Sequence, residues 1–120
     1  MRKLDIIVTH YNEPWDIGEK FFQMLALQRD VDFDEIRVTI VHDGGKPFDE
    51  KLFKGYPYDV QQTVIAHAGI SAARNYGIRI AEAEWIMFCD FDDMFASAYS
   101  LRHILGVLPA KNYDVLWGQF

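Results

Sequence analysis

Three of the four residues 90–93 are aspartates, Asp90, Asp92 and Asp93, and they close the apolar run in WIMFCDFDDMF, residues 85–95. Like charges this close repel, and a carboxylate at the mouth of a buried strand is costly unless a cation holds it. Carboxylate oxygens are hard ligands. They suit Mg²⁺ or Mn²⁺ better than a closed zinc site. On an extended chain Asp90 and Asp92 point the same way. Mg²⁺ takes one or two carboxylates and completes its shell with water and substrate phosphates, so a D-x-D of this kind fits a phosphate-bearing ligand. A bare D-x-D is equally a solvated turn that caps the next helix, and only its context separates the two readings.

Other side chains supply that context. Tyr11 follows the apolar run Ile6-Ile7-Val8 closely enough to stack on a nucleobase, although alone it is also an ordinary exposed loop tyrosine. Asp43 precedes Gly44 and Gly45. A carboxylate there accepts hydrogen bonds from a base or a ribose, and the glycines allow close approach. A plain Asp-Gly turn has the same sequence. Arg74, beside the small Ala72 and Ala73, offers a forked donor to phosphate; its other reading is a surface arginine bridging to Glu82 or a neighbouring acid. The four histidines, His10, His42, His67 and His103, show no HxH or HExxH spacing and read as non-ligands. His10 and His42 stand where they can line a site.

Five runs rich in Ile, Val or aromatics read as strands: residues 3–9, 35–42, 58–65, 85–89 and 113–120. Apolar residues at helical spacing predict helices over 15–28, 69–83 and 97–108, the last with Ser97 as its cap. Residues 43–55 read as an irregular loop. The order β-α-β-loop-β-α-β-α-β implies a mainly parallel sheet with helices on both faces. In such sheets ligands gather at the carboxyl ends of the strands. Thr9 to Glu13, His42 to Gly45 and Asp90 to Asp93 all fall at those ends, and Arg74 lies in the helix after the third strand.

Bulk properties agree. The 120 residues fit one domain, and 50% apolar content with 15% aromatics is ample for a core. A net charge of −6 argues against a nucleic-acid-binding face. Cys89 is the sole cysteine, which excludes an intrachain disulfide and fits a cytoplasmic protein. No apolar stretch approaches the roughly 20 residues needed to span a bilayer, so any attachment to the cytosolic face of a membrane would need segments beyond this sequence.

Taken in order, these segments resemble the nucleotide-binding half of family 2 glycosyltransferases, whose GT-A fold is a Rossmann-like α/β three-layer sandwich. IIVTHYNEP is similar to the family's opening strand and nucleotide loop, and VTIVHDGG to its second strand. AGISAARNYGIRIAEAEWIMFCDFDDMF is similar to its G-x-x-x-A-R-N-x-G followed by an apolar strand ending in D-x-D-D, and YDVLWGQF to the strand after that. The resemblance implies a nucleoside-diphosphate sugar as donor, usually a UDP-sugar, and inversion at the anomeric carbon. It implies that Thr9, Tyr11 and Glu13 line the nucleoside pocket, that Asp43 bonds the base and that Arg74 contacts the nucleotide or its diphosphate. Asp90 would lie near ribose and metal, with Asp92 the main ligand of Mn²⁺ or Mg²⁺ and Asp93 in support. Two departures stand out. His67 replaces a common Asn, and bulky Phe91 stands where a small residue is frequent, which is expected to alter the donor-sugar pocket.

The family's catalytic base belongs to the acceptor-binding half, beyond Phe120, so no catalytic residue is assigned within this sequence. Residues 1–120 therefore read as a truncated, donor-binding half that binds nucleotide but transfers sugar poorly alone. Its acceptor is unspecified, and an uncovered sheet face favours self-association. A non-catalytic nucleotide- or sugar-binding module is the alternative. A haloacid-dehalogenase-type phosphatase, with Asp90 as nucleophile and Asp92 as acid/base, is a poorer one. Met94 stands where Thr or Val is usual, and only 27 residues follow Asp93.

Overall fold

A computed structural model describes residues 2–108; the predicted strand 113–120 lies outside the described residues. Four strands form one sheet: β1 (Leu4–His10), β2 (Ile36–Asp43), β3 (Asp59–Ile65) and β4 (Trp85–Asp90). Their spatial order is β3-β2-β1-β4 and every pairing is parallel. Three helices connect and flank them: α1 (Trp15–Ala26), α2 (Ile70–Ile80) and α3 (Ser100–Val107). This is the GT-A-type Rossmann-like arrangement anticipated above.

Alternation along the strands sorts the two faces. Leu4, Ile6 and Val8 of β1, Val38 and Ile40 of β2 and Cys89 of β4 join Phe21, Phe22 and Leu25 of α1 and Leu101 and Ile104 of α3 in the main core. Ile7 and Val41 point the other way and meet Ala73 of α2. β1 is buried along its whole length because it is central and covered on both sides. Gly77 lets α2 lie directly on β1, since a Cβ there would stand 2.4 Å from Ile7 Cγ2.

Element ends follow local hydrogen bonding. α2 stops at Ile80, short of the predicted 83, because Asp5 at the amino end of β1 captures the next backbone donors. Its Oδ2 accepts Glu82 N–H at 2.8 Å and Ala83 N–H at 2.7 Å, and Arg37 Nε holds Oδ1 at 3.1 Å. α3 starts at Ser100 and not at Ser97, whose Oγ instead accepts Tyr99 N–H in the preceding turn. The loop after β2 is more ordered than its sequence suggests. It contains a 3-10 turn (Glu50–Phe53), and Phe48 stacks on Phe91.

Candidate functional site

The carboxyl ends of all four described strands face one edge of the sheet, and a cleft of about 350 Å³ opens there. Its lining includes Thr9, Tyr11, Glu13, Asp43, Asp90 and Asp92. Six residues singled out in the sequence, from three strands and two loops, thus share one cavity.

The β1–β4 register places Thr9 beside Asp90. Thr9 Oγ1 donates to Asp90 Oδ1 at 3.3 Å, and Arg74 Nη2 of α2 reaches the same oxygen at 3.3 Å. Arg74 Nε is buried with no partner among the described residues. The guanidinium thus has unspent donor capacity next to the cleft. Arg74 bridges to Asp90 rather than to Glu82, whose carboxylate lies 4.0 Å from Arg37.

Asp43 ends β2 and is buried. It ties down the segment between β3 and α2. Ala68 N–H donates to Oδ1 at 2.8 Å, and Gly69 N–H and His67 Nδ1 reach Oδ2 at 3.0 Å each. Burial pushes this carboxyl up, but the two backbone donors and His67 outweigh it and leave the acid below its ordinary value. Gly44 (φ +93°) and Gly69 (φ +101°) occupy backbone regions that L side chains rarely adopt, which the tight approach of the two segments requires.

Tyr11 and His67 stack, ring centroids 4.3 Å apart and 14° from parallel, as an aromatic wall at the cleft. Both rings are largely exposed, so a flat ligand can reach them. Glu13 Oε1 accepts the Tyr11 N–H at 2.8 Å and fixes the loop that carries the ring. His67 was legible only as a departure from the resembled pattern; its contact with Asp43 had no local signal.

Asp90, Asp92 and Asp93 offer ligand atoms within 4.8 Å of one another. Asp93 Oδ2 accepts the Asp90 N–H at 2.7 Å, while Asp92 is exposed and has no partner among the described residues. An all-carboxylate, solvent-facing set suits Mg²⁺ or Mn²⁺, which keep water and phosphate ligands. The fit is therefore good for such an ion, with Asp92 the least committed ligand.

Phe91 corrects an expectation. It does not line the cleft: it is fully buried and turned to the α1 side, its ring against the backbone of Gly18. The rings of Phe48, His10 and Trp15 surround it.

Comparison with known proteins speaks to family and fold. The family model described as "Glycosyl transferase family 2" matches residues 5–120. "Teichoic acid poly(glycerol phosphate) polymerase" of Staphylococcus epidermidis is 35% identical over 103 residues, 81% of this chain and 14% of that protein. "Minor teichoic acid biosynthesis protein GgaB" of Bacillus subtilis is 29% identical over 93 residues, 74% of this chain and 10% of that protein. The chain thus spans 10% to 14% of the curated relatives it matches. The crystal structure of S. aureus TarS superposes with a TM-score of 0.71 at 26% identity, covering 90% of this chain and 20% of that one. TarS 1–349 in complex with UDP-GlcNAc gives a TM-score of 0.73 at 24% identity, which speaks to fold alone; it covers 90% of this chain and 31% of that one.

Proposed function

The chain belongs to glycosyl transferase family 2, and from that premise we propose that it is the donor-binding half of a glycosyltransferase that holds a nucleoside-diphosphate sugar in the cleft at the strand ends. One observation carries this reading: Thr9, Asp43, Asp90 and Asp92, from three separate stretches of the sequence, line that cavity, and Arg74 pairs with Asp90 at its edge. A UDP-sugar is the donor that the resemblance favours. The S. aureus TarS structure in complex with UDP-GlcNAc has the same fold, which is consistent with that choice.

In this reading the base lies against Tyr11, and Asp43 accepts from its edge. Asp43 already takes three donors, so one bond to the base uses its remaining lone-pair capacity. Thr9 and Glu13 border the nucleoside. Arg74 turns its fork to the diphosphate, giving up part of its contact with Asp90. Asp92, with Asp90 and Asp93 beside it, holds Mg²⁺ or Mn²⁺. Such an ion supplies Lewis-acid stabilisation of charge on the leaving diphosphate. The transfer is inverting, with a carboxylate base from the acceptor-binding half taking the proton of the acceptor hydroxyl. The relatives named for teichoic acid synthesis make a polyol-phosphate polymer the acceptor class we favour. No described helix is long and apolar enough to cross a membrane. The buried thiol of Cys89 fits a cytoplasmic site of action.

The test is to map UDP and Mg²⁺ onto the chain by amide chemical-shift changes. Shifts centred on Tyr11, Asp43, Gly69, Arg74 and Asp92 are the expected result. Shifts confined to another surface would reject the assignment.

A further inference from the structure

On the α1 side of the same strand ends, two buried histidines meet. His10 Nδ1 lies 2.9 Å from His42 Nδ1. The other nitrogen of each ring is also committed. His10 Nε2 is 2.6 Å from the Glu13 carbonyl oxygen, and His42 Nε2 is 2.8 Å from Gln62 Oε1. A carbonyl oxygen only accepts, so His10 Nε2 carries a proton. The orientation of the Gln62 amide is set independently. Its Oε1 accepts Phe48 N–H at 2.8 Å, and its Nε2 donates to Phe48 O at 3.0 Å and Glu50 Oε1 at 2.9 Å. His42 Nε2 must therefore carry a proton as well. Two neutral rings protonated at Nε2 would set lone pair against lone pair across 2.9 Å.

We propose that His10 and His42 share one proton between their Nδ1 atoms and act as a positioning pair that holds the nucleotide loop, Tyr11 to Glu13, against the tip of β2. The pair carries one positive charge. Removing its proton costs one bond of the chain running from Glu13 through His10 and His42 to Gln62. The weakest tether is the Glu13 carbonyl, because it sits on a loop while Gln62 is held by three other bonds. Glu13 in turn fixes Tyr11, so proton loss is felt at the base-binding wall. A second proton would set two positive charges across 2.9 Å; burial lowers the basicity of His42, the Gln62 contact raises it in part, and His10 lowers it again.

Few ionisable groups face the pair. Glu13 is turned to the Tyr11 N–H, and Glu50 lies beyond Gln62. Glu19 on α1 is bound to the Trp15 indole. Asp43 and Asp90 lie near in the strands but, by alternation, on the α2 side, where His67 and Arg74 meet them. Phe48 and Phe91 pack their rings on His10, with centroids 4.7 Å and 4.6 Å away.

Long-range ¹H–¹⁵N spectra of the imidazoles test the proton itself, with no ligand. The expected result is a pH window in which both Nε2 atoms are protonated and the two Nδ1 atoms give averaged, intermediate shifts. A neutral pair that passes directly to two charged rings, or a ring whose Nε2 stays bare, overturns the proposal. The positioning role rests on the function proposed above and is read by UDP affinity with Mg²⁺ in a His67→Gln background, which removes the other titratable ring at the cleft. Affinity should fall about fivefold, the equivalent of one hydrogen bond, on raising pH through the imidazole range. His42→Asn keeps a donor toward His10 without a titratable proton and should flatten that profile; a profile as steep as its parent's overturns the role. Absence of UDP binding at every pH would count against the proposed function, while the spectra would still decide the pair.

Discussion

The guanidinium of Arg74 lies 3.3 Å from Oδ1 of Asp90, joining the helix after β3 to the strand that ends in the acidic cluster. Both side chains are over two-fifths exposed, so the pair itself adds little to folding, about 0–1 kcal/mol. Its value is placement. A cation is held beside three carboxylates, with one buried nitrogen unpartnered among the described residues, ready to turn to an anionic ligand.

Arg74→Ala should therefore leave the melting temperature within a few degrees of wild type while weakening UDP binding by about tenfold or more, as expected for loss of a charge-assisted bond. Arg74→Lys keeps the charge but loses the fork and should recover only part. Differential scanning calorimetry and UDP titration on the same samples separate the two effects. Equal losses of stability and binding would make Arg74 a structural residue.

Asp43→Asn should destabilise the fold by about 1–3 kcal/mol, because an amide at one position would face N–H donors that the carboxylate accepts. The pH dependence has a definite sign. The folded carboxyl titrates below its ordinary value of 3.8, so the unfolded chain binds the proton first as pH falls. The stabilisation is complete above that ordinary value and is lost as pH falls through the lower folded value. Urea midpoints across the acid range should show a limb in wild type that the variant lacks.

Gly77→Ala should cost about 1–3 kcal/mol through overpacking, since the new methyl would meet Ile7 Cγ2 at 2.4 Å. Ile7→Ala should remove part of that penalty in a double-mutant cycle. Additive losses would mean that α2 and β1 do not touch at this point. If α2 yields to relieve that contact, Arg74 moves with it, and UDP affinity should fall alongside stability.

The Cys89 thiol, pushed up to about 12 by burial and by the nearby Asp93 and Asp90, should resist thiol reagents in the native protein. Labelling should occur at the rate of unfolding. Rapid modification under native conditions would show that β4 opens at the site.

The strands were legible because buried parallel strands announce themselves as apolar runs, and β1, β2 and β4 fall within a residue or two of their expected limits. The tips were legible because polar residues interrupt those runs where the sheet ends. Helix ends were less so, since Asp5 terminates α2 from far away in sequence. Phe91 was misplaced because the expectation came from the family pattern; alternation sets its ring, like Cys89, on the α1 side, where the space beside Gly18 took it. The His10–His42 contact spans 32 positions and carries no pattern in either segment. The phosphatase reading lacks support beside the family match and a β4 at the edge of the described sheet.

Calorimetric titration of UDP, with and without Mn²⁺, into the wild-type chain and Asp92→Asn decides whether the strand-end cleft holds nucleotide through a metal on Asp92. Asp92 is exposed and has no partner among the described residues, so the substitution should not unfold the protein. Metal-dependent UDP binding in wild type, lost or weakened by about tenfold or more in Asp92→Asn, is the predicted result. UDP binding that ignores both the ion and the substitution, or no binding by a folded chain, would contradict it.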